Sequence, residues 1–221
     1  MKYFNKAYIQ FFKELAKENH KEWFDLNRKT YEIEVKKPFE NFTQDLANTI
    51  YKFDSEVNTD YKKAIFRINK DIRFSKDKSP YKLNRSCAIS KFGKKDHESP
   101  GYYVEISADK VSLAGGAWSP STESLFKIRQ EISYNMKEFE KLTKDKKFIE
   151  AFGEIRGEKN KQIPKEFMED AKAQPLIFNK QFYFWKEYPA SLVCSDKLLE
   201  TIISDFKTIL PMNQFLRRAM E

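Results

Sequence analysis

Apolar residues recur at helical spacing through the first third of the chain. Asn5 is placed to cap a helix in which Tyr8, Phe11, Phe12 and Leu15 share one face, ending near Asn19. A second stripe runs over about residues 21–36 through Phe24, Tyr31 and Val35. Pro38 suits a first helical position, and Phe39, Phe42, Leu46, Ile50 and Phe53 carry the stripe onward. At Ala64 the period changes to 2: Ala64, Phe66, Ile68, Ile72 and Phe74 alternate with Ile65, Arg67, Asn69, Asp71, Arg73 and Ser75. That pattern predicts a half-buried strand over 64–75. Further strands are expected over 86–92, 102–107 and 111–114, the last two joined by Ala108-Asp109-Lys110, with Gly115-Gly116 at the exit.

Ser119-Pro120 offers an N-cap and a first helical residue for a helix through Leu125, Ile128, Ile132 and Met136. Lysine-rich turns fill 139–175, a strand is expected within 177–188, and Ser195 caps a last helix through Leu198, Ile202 and Phe206 that Pro211 breaks or kinks. With no internal repeat and no linker composition, the expectation is one α+β domain over 1–221. Its central, mostly antiparallel sheet is flanked by N-terminal helices and a C-terminal helix.

Composition narrows the class. A chain of 221 residues buries a core without staples, and 40% hydrophobic with 15% aromatic content excludes a disordered chain. Cys87 and Cys194 form no disulfide framework, and with His20 and His97 they suggest no metal site. No cofactor motif is present. Lys6 and Lys13 interrupt the N-terminus before a signal-peptide run, and no stretch of about 18 apolar residues follows, so a cytoplasmic protein without a membrane partner is expected.

Charge is concentrated. Residues 60–96 hold twelve Lys and Arg against Asp60, Asp71, Asp77 and Asp96, a local +8 that equals the net charge of the chain. Only 8 of the 41 basic residues are Arg, and Arg67, Arg73 and Arg85 lie here. An arginine fork suits phosphate or carboxylate in a way lysine cannot match. On a continuous strand Arg67, Asn69, Asp71, Arg73 and Ser75 would stand in one row, with Ser75, Lys76, Lys78, Tyr81 and Lys82 completing an anion-binding loop without P-loop glycines. The plainer alternative is a solvated sheet face neutralised across strands. Arg129 falls inside an apolar helical stripe, where an ion pair with Asp71 or Glu105, or a third place in the arginine row, is expected. Trp118, in Gly115-Gly116-Ala117-Trp118-Ser119-Pro120, sits before a helix N-terminus and offers a stacking surface.

Three segments carry a family resemblance: residues 19–28 (Asn-His-Lys-Glu-Trp-Phe-Asp-Leu-Asn-Arg), residues 66–82 with their Arg-Phe-Ser-Lys-Asp-Lys-Ser-Pro-Tyr-Lys core, and Gly115-Gly116-Ala117-Trp118 with Pro120. They resemble the domain of unknown function 2461 family, and the likeness extends to residues 206–216. Lys70 and Glu166 depart from the family pattern, which usually has Arg before the Asp and Gly after Pro-Lys. The resemblance implies a compact α+β protein of bacteria and fungi and supplies no reaction.

Two functions from different classes follow. One is binding of a phosphate-bearing or other anionic ligand, nucleic acid among them, through Arg67, Arg73, Lys76, Lys78, Lys82 and Arg85, with Tyr81 or Trp118 stacking. The other is an enzyme on a small anionic substrate, with an arginine clamp and Asp71 or Asp77 as base. A structural role, the strip docking an acidic protein, is a third. On the first reading Arg67→Ala and Arg73→Ala weaken anion binding more than Lys94→Ala.

Overall fold

The structure, a computed structural model, describes residues 2–221. In chain order it contains α1 (Lys6–Lys17), α2 (Lys21–Leu26), α3 (Arg28–Thr30), a π-helical segment Tyr31–Lys36, α4 (Lys37–Tyr51), α5 (Tyr61–Ala64), β1 (Asn84–Ile89), β2 (Gly101–Ser107) and β3 (Lys110–Ala117). There follow α6 (Thr122–Tyr134), α7 (Met136–Thr143), α8 (Lys146–Phe152), α9 (Met168–Ala173), β4 (Phe182–Pro189) and α10 (Leu198–Met220). Asn5 caps α1 as expected, its Oδ1 accepting from the amides of Ala7 and Tyr8 at 2.8 and 3.3 Å. The 21–36 stripe is helical in pieces. Asn27 turns its carboxamide onto the Trp23 carbonyl at 2.9 Å and ends α2, and the π turn after α3 re-phases the stripe so that Tyr31 and Val35 stay buried.

The four strands form an antiparallel meander in the order β1-β2-β3-β4. One face is the core side, where Cys87, Ile89, Tyr102, Val104, Ile106, Leu113, Phe182 and Phe184 are buried with Phe12, Leu46 and Phe206 from the helices. α4 packs toward β1 and α10 lies along β3, so helices cover a single face in an α+β arrangement. The other face carries Ser86, Ala88, Tyr103, Glu105, Ser112, Ala114, Tyr183, Trp185 and Glu187.

The strand expected over 64–75 does not form. Asp60 caps the turn α5, Ile65 makes one bridge to Cys87, and the Phe66 amide reaches the Ser86 carbonyl at 3.0 Å. The chain then leaves the sheet and folds back on itself, with Lys70 N–H to Pro80 O and Lys82 N–H to Ile68 O both at 2.8 Å. The competing local chemistry explains this. Asp71 and Asp77 accept from the amides of Arg73 (3.3 Å) and Ser79 (2.9 Å), which are Asx turns, and Pro80 has no N–H for a ladder. Phe74, assigned to the apolar face by periodicity, is 96% exposed.

Smaller corrections have equally local causes. Ser121, not Ser119, caps α6, accepting from Ser124 N–H at 3.2 Å. Residues 175–178 take a tight 3-10 turn before β4 begins at Phe182. Pro211 lies within an unbroken α10, on its solvent side, where the Lys207 carbonyl it leaves free is on the exposed face.

Candidate functional site

The open face of the sheet holds a groove of about 400 Å³. Its floor follows from the register. Two cross-strand rows run side by side, Ala88–Tyr103–Ala114–Trp185 and, one pleat further, Gly101–Gly116–Tyr183 with Ser90 beyond the end of β1. Alanine and glycine leave the backbone bare between the aromatic positions. Tyr103 and Trp185 lean together over Ala114, ring centroids 6.2 Å apart at 31°, and Phe66 extends this wall at 6.3 Å from Tyr103. Across the floor Trp118 meets Tyr183 edge-on at 4.7 Å and 69°, and Trp118 is 58% exposed at the mouth.

The aromatic hydroxyl and indole groups are mostly fixed. Tyr103 donates to Glu105 at 2.8 Å, and Trp185 Nε1 donates to Glu187 at 2.9 Å, itself paired with Lys110. Burial first, then the Glu105 charge, pushes the Tyr103 phenol far above its ordinary range, so it stays protonated. At one end, residues 90–99 turn back over the groove. Asp96 accepts from Ser99 N–H at 2.9 Å and from Ser90 Oγ and Glu98 N–H at 3.3 Å each, so its carboxylate is committed to its own turn. Lys94 also lines the groove, its Nζ donating to the carbonyls of Lys62 (3.0 Å) and Ile65 (2.5 Å). Two of three ammonium donors are thus fixed and one is left over. Burial, then the like charges of Arg85 and Lys95, lower the Lys94 pKa.

The sequence-predicted residues divide between this groove and the basic excursion beside it. Trp118 lies in the groove, and Lys82 stands at its edge, with its ammonium 5.2 Å over the Phe66 ring. Arg67 is exposed and makes no salt bridge among the described residues, though its charge helps to lower the Asp71 pKa. Asp71 and Arg73, both exposed, form a bidentate pair at 2.9 and 2.6 Å that draws the carboxyl down to about 2. Asp77 is held ionised by Lys70 at 2.6 Å and by Ser79, well below the usual carboxylate range. Lys78 donates to Ile72 O at 3.0 Å, while Ser75 and Lys76 lie at the turn. The single row of Arg67, Asp71 and Arg73 therefore does not exist, because the strand that would have aligned them does not.

Tyr81, offered as a stacking surface, is buried and stacked on Phe24 at 4.0 Å and 15°. Its backbone is gripped by the Asn19 carboxamide, which donates to Tyr81 O at 2.9 Å and accepts from Tyr81 N–H at 3.1 Å, a side chain imitating a strand partner. Asn19→Ala is expected to cost about 1–3 kcal/mol, since both backbone groups lose their partner. Hydrogen exchange should show it as faster exchange at Tyr81 and Lys82 with the sheet amides unaffected; uniform protection across both would contradict the clasp. Arg85 is turned to the core side, 5% exposed, 5.4 Å from the Phe39 ring, and so is not a surface contact. Arg129 is also buried, but away from Asp71 and Glu105. It donates to the carbonyls of Ile177 (2.9 Å) and Asn179 (3.3 Å), closing the end of the 175–178 turn, and burial lowers its pKa.

The groove was the part missed from the sequence. Its signal is in β4, where Tyr183 and Trp185 alternate with Phe182 and Phe184, so that aromatics occupy both faces, one of them with no helix to cover it. Among the described residues no three His, Cys, Asp or Glu groups converge as metal ligands, and no helix is long and apolar enough to cross a membrane.

Comparison with protein families matches residues 7–215 to the conserved hypothetical protein family DUF2461. The chain belongs to DUF2461. No curated protein and no solved structure matches it. The three DUF2461-like segments are close in space: Asn19 and Phe24 clasp the base of the 66–82 excursion at Tyr81, and Phe66, Gly115, Gly116 and Trp118 line the groove.

Proposed function

We propose that this DUF2461 protein binds a phosphate-bearing or other anionic ligand, seated in the groove of the open sheet face and drawn there by the basic segment 60–96. The observation that supports this most is the meeting of the two features. Phe66 and Lys94 belong to the segment that carries the whole net charge, and both line the groove. A volume of about 400 Å³ suits a small ligand or one unit of a polymer. Lys94 has like-charged neighbours, committed carbonyls and a spare N–H, an environment that an oxyanion would complete. Asp96, the acid nearest to it in the groove, spends its oxygens on its own turn. Asp71 and Asp77 lie on the exposed excursion, each within an ion pair, so the geometry offers no support for a clamp with an aspartate base.

This placement reverses the order expected of the charge variants. Lys94→Met should weaken binding of pyrophosphate about 10- to 100-fold, the worth of one charge-assisted hydrogen bond, whereas Arg73→Ala, already neutralised by Asp71, should change only the salt dependence. Calorimetric titration of the folded variants decides it. Equal losses for Lys94→Met, Arg67→Ala and Arg73→Ala would mean a diffuse field and no formed site.

A further inference from the structure

The proposed ligand site has a shape that selects among anions, and this inference rests on that reading of the groove. We infer that the ligand carries a planar heteroaromatic ring joined to its phosphate: a nucleoside phosphate, either free or as a unit of a single strand.

The floor is the first argument. Between the aromatic side chains, Ala88, Ala114 and Gly116 are half-buried and raise at most a methyl group from the floor, while Gly101 beside them is buried under Ser90. A ring can lie against such a surface; among the described residues the groove's one carboxylate, Asp96, is already capped by Ser90 and by the amides of Glu98 and Ser99, and His97, Ser99 and Tyr183 supply polar atoms for the sugar that joins ring to phosphate. The walls are the second. Trp118 stands at the mouth, more than half exposed, its indole N–H without a hydrogen-bond partner among the described residues, and meets Tyr183 in a T-shaped contact. Opposite it, the Phe66–Tyr103–Trp185 wall is held rigid by the Glu105 and Glu187 hydrogen bonds, so little rotamer freedom is lost when a ring stacks. A flexible acyl chain would gain nothing from these orientations and would be left open to water along the mouth.

Apolar and cationic parts also lie side by side. Lys94 lines the groove together with Ser90 and Asp96, and the Lys82 ammonium lies 5.2 Å from the centre of the Phe66 ring, so cationic groups accompany the aromatic surface. A ring on the floor with an oxyanion directed at Lys94 uses both. Asp71 and Asp77 are paired with Arg73 and Lys70 on the excursion, and Glu105, which accepts from Tyr103, is not among the residues that line the groove.

Two of the three tryptophans, Trp118 and Trp185, line the groove, and the third, Trp23, packs on Phe11 in the helical layer. Tryptophan emission is therefore a local probe. Adenosine monophosphate, ribose phosphate, pyrophosphate and a single-stranded oligothymidylate would each be titrated into the wild-type protein and into Trp118→Ala. The expected result is quenching by adenosine monophosphate, with affinity about tenfold above that of ribose phosphate, as one stacked base supplies. Trp118→Ala should remove most of that advantage and leave ribose phosphate binding unchanged. Tighter, salt-dependent binding of the oligomer would place the ring within a strand, and equal or weaker binding would assign a free nucleotide. Ribose phosphate matching adenosine monophosphate, or indifference of the nucleotide to Trp118→Ala, overturns this inference while leaving an anion site standing. Failure of all four ligands overturns the anion site itself.

Discussion

Arg217→Ala is expected to cost about 3–5 kcal/mol of folding stability, a large share of what a domain of this kind has. The guanidinium, near the end of α10, makes a bidentate contact with Asp54 at 2.8 and 2.5 Å, and Tyr102 of β2 donates its hydroxyl to the same carboxylate at 2.6 Å. Asp54 and Arg217 are 4% and 7% exposed, and Glu56 adds a partner at 3.3 Å. One carboxylate thus ties the loop after α4 to the sheet and to the C-terminal helix. Truncating Arg217 strands it as a buried charge held only by neutral donors, the Tyr102 hydroxyl and the Glu56 amide. Replacing both members, as Asp54→Leu with Arg217→Met, should recover much of the loss, because the penalty belongs to the orphaned charge more than to the pair. Burial works against ionised Asp54, but Arg217 and Tyr102 outweigh it and hold its pKa below the ordinary value. The sign follows: a carboxyl with a depressed folded pKa lends stability fully above its unfolded pKa of about 4, and that stability is lost as pH falls through the lower folded value. Urea unfolding of the wild type should therefore weaken below about pH 4, and Asp54→Asn should flatten that limb. A loss under about 1 kcal/mol for Arg217→Ala, or an acid limb unaffected by Asp54→Asn, would show that the pair contributes no more than a surface ion pair does.

The legible parts of the fold were those written in neighbouring residues. The Asn5 cap, the helical stripe of Phe39, Phe42, Leu46 and Ile50, though not its expected last member Phe53, which lies beyond α4, and the alternation of β2 and β3 all depend on contacts a few positions apart. The failure at residues 64–75 was also local: period-2 alternation was present, but Asx turns at Asp71 and Asp77 and the missing donor of Pro80 won over the ladder. Where chemistry depends on distant partners, the sequence was silent. Nothing near Arg217 names Asp54, 163 residues away, and nothing near Arg129 shows that its partners are carbonyls of a turn 48 and 50 residues on. The groove belongs to the same class, since Tyr103, Trp118 and Trp185 become one surface only when four strands are in register.

Gly116→Ala is the second substitution with a large expected effect, about 2–4 kcal/mol, and it couples fold to groove. Gly116 has φ +93, where a side chain is strained by itself, and a Cβ there would lie 2.1 Å from the Phe182 carbonyl oxygen, backbone that cannot step aside without moving β4. The end of the β2–β3 ladder is also unusual at this residue. The fully buried Asn213 of α10 inserts its carboxamide, accepting from Gly116 N–H at 3.0 Å and donating to Gly101 O at 3.1 Å. The helix thereby holds the two glycines of the groove floor from beneath. Asn213→Ala alone should cost about 1–3 kcal/mol by leaving those groups unpaired. Because both substitutions release the same rung, their double variant should lose less than the sum of the two, by more than about 0.5 kcal/mol. Additive losses would mean that Asn213 and Gly116 act separately. A shifted floor must also carry Trp118, two residues further on, away from Tyr183. Gly116→Ala at a denaturant-free temperature where it remains folded should therefore red-shift tryptophan emission, and an unchanged spectrum would show that the mouth of the groove is held by something other than its glycine floor.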